Sequence, residues 1–258
     1  MTSKYRSIIT LLVNIDRWLL NYIFNRERVF TIALDQCVDE FGNSFGKNGD
    51  HFFIHALKSG EDFNSLSNFL IKYYSNNQIR SFNEEIGHNI GANEGEQYFC
   101  PWEANRVRPL KKFNGSHKVG PTDKNAIARI VTRLVKILSS IKKRNIPPWM
   151  LIDGCPRVIK IINKKNVARY IVRDGNHRLS VQSYLGIKSV KVCFEEDHWT
   201  PSSFYCWVYK VIKKQKYSIN QDLIKIVSVK EVDSWPHVKS GLVASNDALN
   251  FFNNRFDN

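Results

Sequence analysis

The sequence predicts an α+β fold. Two patterns carry that expectation. Long stretches repeat apolar residues at the three-and-four spacing of amphipathic helices, and a central region alternates short runs of Ile, Val and Tyr with polar turns. Size agrees: 258 residues, 43% of them hydrophobic and 12% aromatic, can bury a core as one large domain or two small ones.

The first element is a helix over residues 5–24, with Ile8, Leu11, Leu12, Ile15, Leu19, Tyr22 and Ile23 on one stripe. It either packs on the core or meets a membrane surface or a partner. Its apolar run Ile8–Val13 is shorter than a secretory signal needs. Asp16 and Arg17 break it well short of the ~20 apolar residues of a membrane span. No transmembrane span is therefore expected. Residues 40–62, rich in Gly, Asn and Asp, read as loops around one small element. A helix follows over 63–80, with Phe63, Leu66, Phe69, Leu70 and Tyr73 on one side. Residues 83–101 read as a long loop that serves as lid or linker.

Thr122 or Asp123 caps a long helix over 124–144. Its apolar stripe is Ile127, Ile130, Leu134, Leu138 and Ile141, while Arg129, Arg133, Lys136 and Lys143 share another face. Pro147-Pro148 stops it. Strands are expected at Met150–Ile152, Arg157–Ile162 and Ala168–Arg173, the last two joined as a hairpin through Asn163–Asn166. A helix over 177–185 ends at Gly186, and Val190–Phe194 is a further strand. The last part carries a helix beginning near Phe204, a break at Pro236, and a final helix opened by Ser245 or Asn246. Three segments result: 1–104, mostly helical with loops; 105–196; and a helical extension, 197–258, packed on the core.

Net charge is +14 and the sequence pI about 9.6, which points to an anionic partner: nucleic acid, nucleotide, phosphorylated metabolite or membrane surface. Residues 105–195 hold 21 Lys and Arg against 4 Asp and Glu, an excess of +17, while the rest of the chain sums to −3. The five cysteines are scattered, with no CxxC pair and an odd count, so neither a disulfide framework nor a zinc knuckle is expected. That and the N-terminus favour the cytoplasm.

The chemistry-bearing feature is Asp174-Gly175-Asn176-His177-Arg178, where a strand runs through a glycine turn into a helix. The first amides of a helix have no partner inside it, and its dipole is positive there. Gly175 permits close approach, Arg178 offers a planar fork for phosphate oxygens, and His177 donates a hydrogen bond or takes a proton. Such a turn holds an anion. The alternative is an ordinary turn with Asp174 as helix cap and a structural His177.

The order of motifs around this turn resembles the ParB/sulfiredoxin superfamily. Ser140-Ile141 and Asn145-Ile146-Pro147-Pro148 stand where that family has its "SI…G…P" segment, with Asn145 in place of Gly. The turn matches "GxHR", and Leu185-Gly186-Ile187 with Val190-Lys191-Val192 matches the closing "LG…vpV". The resemblance covers about 90 of 258 residues, from Arg106 to Glu196. It implies a small mixed sheet with flanking helices, to which this chain adds helical N- and C-terminal parts.

The branches of that superfamily imply different functions. Sulfiredoxins carry a catalytic Cys where this chain has Asn176, and an amide cannot act as thiolate, so sulfiredoxin repair is not expected. ParB proteins bind CTP at the turn and read DNA through a helix-turn-helix, which does not stand out after Val192. Free serine kinases bind a nucleotide there and use a carboxylate as base. The resemblance also puts Asn114–Pro121 near the turn, so Ser116, His117 and Lys118 are candidate phosphate ligands beside Gly175, Asn176, His177, Arg178 and Ser180.

Candidates for the base are His177, Asp174 and Glu103. No Walker loop, HExxH or paired-Cys site occurs, so no protein-built metal site is expected, although Mg2+ would accompany ATP, ADP or CTP. The leading expectation is a kinase-like phosphotransferase acting on a small hydroxyl-bearing substrate. Its rivals are a DNA-binding protein using Arg129, Arg133, Lys136 and Lys143, and a non-catalytic nucleotide switch. Oligomeric state is not legible.

Overall fold

The computed structural model describes residues 29–76, 82, 86, 97–98, 100–103, 108–109, 122–144, 156–194 and 226–257. The helices expected over 5–24 and from Phe204, the strand Met150–Ile152, and Ser116, His117 and Lys118 lie outside the described residues.

The architecture is α+β, a mixed sheet with helices on its faces. In chain order the strands are β1 (Val29–Ala33), β2 (Cys37–Val38), β3 (Gln97–Tyr98), β4 (Arg108–Pro109), β5 (Arg157–Ile162), β6 (Ala168–Asp174), β7 (Ser189–Phe194) and β8 (Ile226–Ser228). The helices are α1 (Phe52–Ser59), α2 (Phe63–Asn76), α3 (Lys124–Arg144), α4 (Asn176–Tyr184), α5 (Pro236–Lys239) and α6 (Ser245–Phe256). Among the described residues the main sheet has six strands in the order β1-β7-β5-β6-β2, with β8 also on β5, and β3 and β4 form a separate ribbon.

The β5–β6 hairpin is antiparallel, with Ile159 opposite Ile171 and Val158 opposite Val172. Its turn is closed by Asn163, whose side-chain oxygen accepts from the Val167 amide at 2.9 Å, and Asn166 takes φ 60. β7 and then β8 lie parallel to β5 along its other side. β1 pairs antiparallel with β7, and β2 parallel with β6. The segment 1–104, expected to be mostly helical, thus supplies two strands to the sheet. A short strand also falls inside the expected loop 83–101.

The sheet is covered on both sides because alternate residues of its strands point to opposite faces. On one face Val158, Val172, Val190 and Val192 pack with Leu179 of α4 and with Phe45. On the other, Ile159, Ile161 and Ile171 pack with Trp102, Trp235 and α6 residues Phe251, Phe252 and Phe256. Beyond α4 lies a helical layer. The α3 stripe Ile127, Ile130, Leu134 and Leu138 meets Phe52, Phe53, Leu66 and Leu70 of α1 and α2, and Val181 of α4 joins it. α4 therefore sits between the sheet and this layer, with Asn176 through Ser183 all buried.

Local signals set the ends of these elements. Asp123 accepts from the Ala126 amide at 2.8 Å, which caps α3. Gly186, at φ 76, ends α4 with its N–H on the Ser183 carbonyl. Pro236 opens α5 at a position that needs no amide donor. Glu61, between α1 and α2, ties two further helices: it accepts from Lys142 of α3 at 2.6 Å and from the Tyr184 hydroxyl of α4 at 2.8 Å, and these bonds hold its carboxyl below the usual range.

Leu179 is 0% exposed between α4 and the sheet. Leu179→Ala should cost about 2–5 kcal/mol in urea unfolding. A loss near zero would mean that α4 does not rest on the sheet as described.

Candidate functional site

The predicted turn forms where β6 passes into α4. Asp174 is the last residue of β6 and Gly175 precedes the helix with φ 101 and ψ 10. Only glycine takes that left-handed conformation without strain. It also lacks room: a Cβ on Gly175 would lie 2.8 Å from the Pro156 Cβ. The Gly175 carbonyl accepts the first helical bond, from Leu179 at 3.0 Å, and no side chain caps the helix start.

Asp174 therefore does not cap α4. Its carboxylate is half-exposed and lies 3.8 Å from the Arg157 guanidinium, its partner across the β5–β6 ladder. It stands at the opening of the turn as a carboxylate held by a loose ion pair.

The next residues turn inward. Asn176 is 3% exposed, and its amide oxygen is out of reach of solvent and accepts no hydrogen bond. An orphaned buried acceptor is costly, about 1–3 kcal/mol, so it calls for an explanation. The His177 ring stacks on Phe53, with centroids 4.7 Å apart and planes inclined at 28°. The Arg178 side chain is 1% exposed and engaged inside the protein.

Ser180 is a correction to the expected ligand set. Its hydroxyl lies 3.2 Å from the His51 Nδ1, fully buried and a full turn into the helix. It anchors α4 rather than facing the helix start. The sequence offers no sign of His51, a residue 129 positions away in a segment read as loops. His51 Nδ1 also accepts from the Phe53 amide at 3.2 Å and so caps α1. That bond leaves the ring proton on Nε2, which faces the Asp39 carboxylate at 3.8 Å. Asp39 in turn accepts from the amides of Phe41 and Asn43 and from the Asn43 side chain. Asp39, His51 and Ser180 are the residue types of a nucleophilic triad, but all three are 0% exposed. No substrate reaches them, and they serve as an anchor between loop 39–51 and α4. Ser183 adds a second tie, donating to the Gly46 carbonyl at 2.8 Å.

Glu103 is a second correction. It is buried in an ion pair with Arg173, which also faces Glu40 at 3.6 Å. β6 bulges at this point: Asp174 stands opposite Arg157 and Val172 opposite Val158, which leaves Arg173 between them without a ladder partner. The neighbour of Glu103, Trp102, packs on the face that α6 covers, and the Glu103 carboxylate is taken up by Arg173. It is not brought to the turn.

The expected nucleic-acid residues Arg129, Arg133, Lys136 and Lys143 are exposed on α3. Ala128, Arg129, Thr132, Arg133 and Lys136 line an open depression there. Among the described residues no group of three His, Cys, Asp or Glu side chains gathers to hold a metal. No described helix is long and apolar enough to cross a membrane.

Comparison with known protein families, curated proteins and solved structures found no match.

Cys37 and Cys100, two of the described cysteines, are buried. Burial, then the Asp35 charge, pushes the Cys37 thiol up to about 12. Burial, then Glu103 and Glu40, raises Cys100 as well, against a smaller opposing effect of Arg255 and Arg173. Iodoacetamide at about pH 8 should leave both unmodified in the folded protein and modify both after denaturation, since the thiolate is the reactive form. Peptide mapping reads the result, and labelling of either in the native state would contradict this burial.

Proposed function

We propose that this chain binds the terminal phosphate of a nucleotide at the start of α4 and passes a phosphoryl group to a small hydroxyl-bearing acceptor. The observation that carries the reading is an uncapped helix start, opened by a left-handed glycine, whose first residue, Asn176, holds a buried amide oxygen with no hydrogen bond. A helix start so arranged favours anions through its amides and dipole. The basic excess of residues 105–195 supports the same sign of ligand. The order of motifs, similar to that of ParB/sulfiredoxin-like proteins, supports a nucleotide as its source.

Asp174 is the carboxylate best placed to serve the acceptor, because Glu103 is buried in its ion pair with Arg173. In the transfer, the acceptor oxygen bonds to the terminal phosphorus, the bond from phosphorus to the leaving nucleotide oxygen breaks, and the acceptor proton passes to Asp174. The helix start stabilises the charge on the phosphoryl oxygens. Asp174, half-exposed and only loosely paired, also suits a Mg2+ ion held mainly by the nucleotide's own oxygens, which would neutralise phosphate charge. ATP, ADP and CTP are the nucleotides to compare, and the cytoplasm is where they would be met.

One observation favours a second reading. The row Arg129, Arg133 and Lys136 along an open depression on α3 suits a nucleic-acid backbone.

Asn176→Leu tests the first reading. Replacing an orphaned buried amide by an apolar side chain of similar size should keep or raise the melting temperature. The same change should weaken the best of ATP, ADP and CTP by about tenfold or more in calorimetric titration. A wild-type protein that binds none of the nucleotides, yet binds labelled DNA with a steep salt dependence, would move the function to the α3 face.

A further inference from the structure

The row of cations on α3 carries a more specific statement about a partner. It rests on the nucleic-acid reading above and is independent of the start of α4. The helix Lys124–Arg144 holds seven Lys and Arg and no Asp or Glu. Its apolar stripe, Ile127, Ile130, Leu134 and Leu138, is buried in the core. The cations therefore collect on the other side, where Arg129, Arg133, Lys136 and Lys143 are exposed. Lys142 is taken up by Glu61. A solvated helix face ordinarily mixes both signs, and like charges three and four positions apart repel. A single sign sustained over about 20 Å of helix fits a partner of opposite charge. We infer that α3 lies along the phosphate backbone of a nucleic-acid duplex and holds it without reading its bases.

The form of the surface selects among anionic partners. Ala128, Arg129, Thr132, Arg133 and Lys136 line an open depression. All five come from one side of one helix, so the depression meets an extended partner along a line and does not enclose a small one. Guanidinium, ammonium and hydroxyl groups are donors that meet phosphate and sugar oxygens. A duplex presents such oxygens densely, with one charge per about 1.7 Å of its axis. An extended acidic segment of protein carries at most one charge per residue, about 3.3 Å apart. A single strand is held in large part by stacking its bases on aromatic rings, and α3 has no aromatic residue. A helix that lies on a membrane inserts its apolar face, and that face of α3 is packed on α1, α2 and α4. Contacts to phosphate carry no base information, so the surface holds duplexes of any sequence.

The experiment uses the whole chain and labelled probes of about 20 units: two DNA duplexes of unrelated sequence, a single strand and polyglutamate. Fluorescence anisotropy follows binding between about 50 and about 200 mM KCl. The two duplexes should bind equally, and more tightly than the single strand and polyglutamate. Each phosphate contact adds about −0.9 to the slope of log affinity against log salt, so Arg129, Arg133, Lys136 and Lys143 together contribute about −3.6. Arg129→Gln/Lys136→Gln should flatten the slope by about 1.8 and weaken both duplexes alike, with the melting temperature kept. Lys164→Gln/Lys165→Gln, an equal change of charge in the exposed β5–β6 turn, should leave the slope as in the wild type. Duplex binding that the α3 variant leaves unchanged, or that the turn variant lowers as much, would overturn the inference and leave nucleic-acid binding to another part of the chain. Tighter binding of the single strand or of polyglutamate, or a clear preference for one duplex, would also overturn it. Failure to bind any nucleic acid at low salt would remove the nucleic-acid reading and this inference together, and leave the nucleotide site at α4 untouched.

Discussion

The burial of α4 governs the rest of the molecule. A nine-residue helix with Asn, His, Arg, Ser and Gln in its sequence lies between a sheet and a helical layer, and Asn176 through Ser183 are out of solvent. Burying polar side chains is unfavourable unless each finds a partner. The surrounding structure answers most of that demand. Loop 39–51 wraps along the helix and supplies His51 to Ser180 and the Gly46 carbonyl to Ser183. Phe53 supplies a ring to His177. Two demands on this helix are left open, the buried amide oxygens of Asn176 and Gln182, neither of which accepts a hydrogen bond.

The same constraint explains features that a ligand does not. The three glycines of loop 39–51 each have a packing reason. A Cβ on Gly42 would lie 2.2 Å from the Arg255 carbonyl oxygen, one on Gly49 2.2 Å from that of Ser44, and one on Gly46 3.0 Å from the Asp35 Cβ. These glycines let the loop fold tightly onto itself and against α6. Gly175 differs, being required by the strand-to-helix turn itself. Arg173, Glu40 and Glu103 form a buried ionic cluster that ties β6 to residues 100–103. Breaking such a cluster by removing one member leaves an uncompensated charge, which makes it a structural tie more readily than a source of acid or base.

Much of this was legible in the sequence where the cause is local. The Asp123 cap, the α3 stripe from Ile127 to Leu138, the Asn163–Asn166 hairpin and the Gly186 stop depend on residues within a few positions of one another, and each stands as expected. What was not legible depends on distant partners. β2 is two residues long and β1 five, with Phe30, Thr31 and Ala33 exposed, so neither shows a clear apolar run. They become strands only because β6 and β7 are there to pair with. The role of His51 depends on Ser180, and that of Glu103 on Arg173. Residue type and spacing do not encode either. The start of α4 lies between these cases: its turn is local and was legible, but the orphaned oxygen of Asn176 emerges only from the packing around it.

The central claim is that an anion sits on the first amides of α4. Backbone amide resonances of an isotope-labelled protein, followed while inorganic phosphate and then ADP are added, test it most directly. The account predicts saturable shifts centred on Gly175, Asn176, His177 and Arg178 with both ligands, and little change at Arg129, Arg133 and Lys136. Shifts confined to the basic face of α3, with residues 175–178 unmoved at saturation, would contradict it.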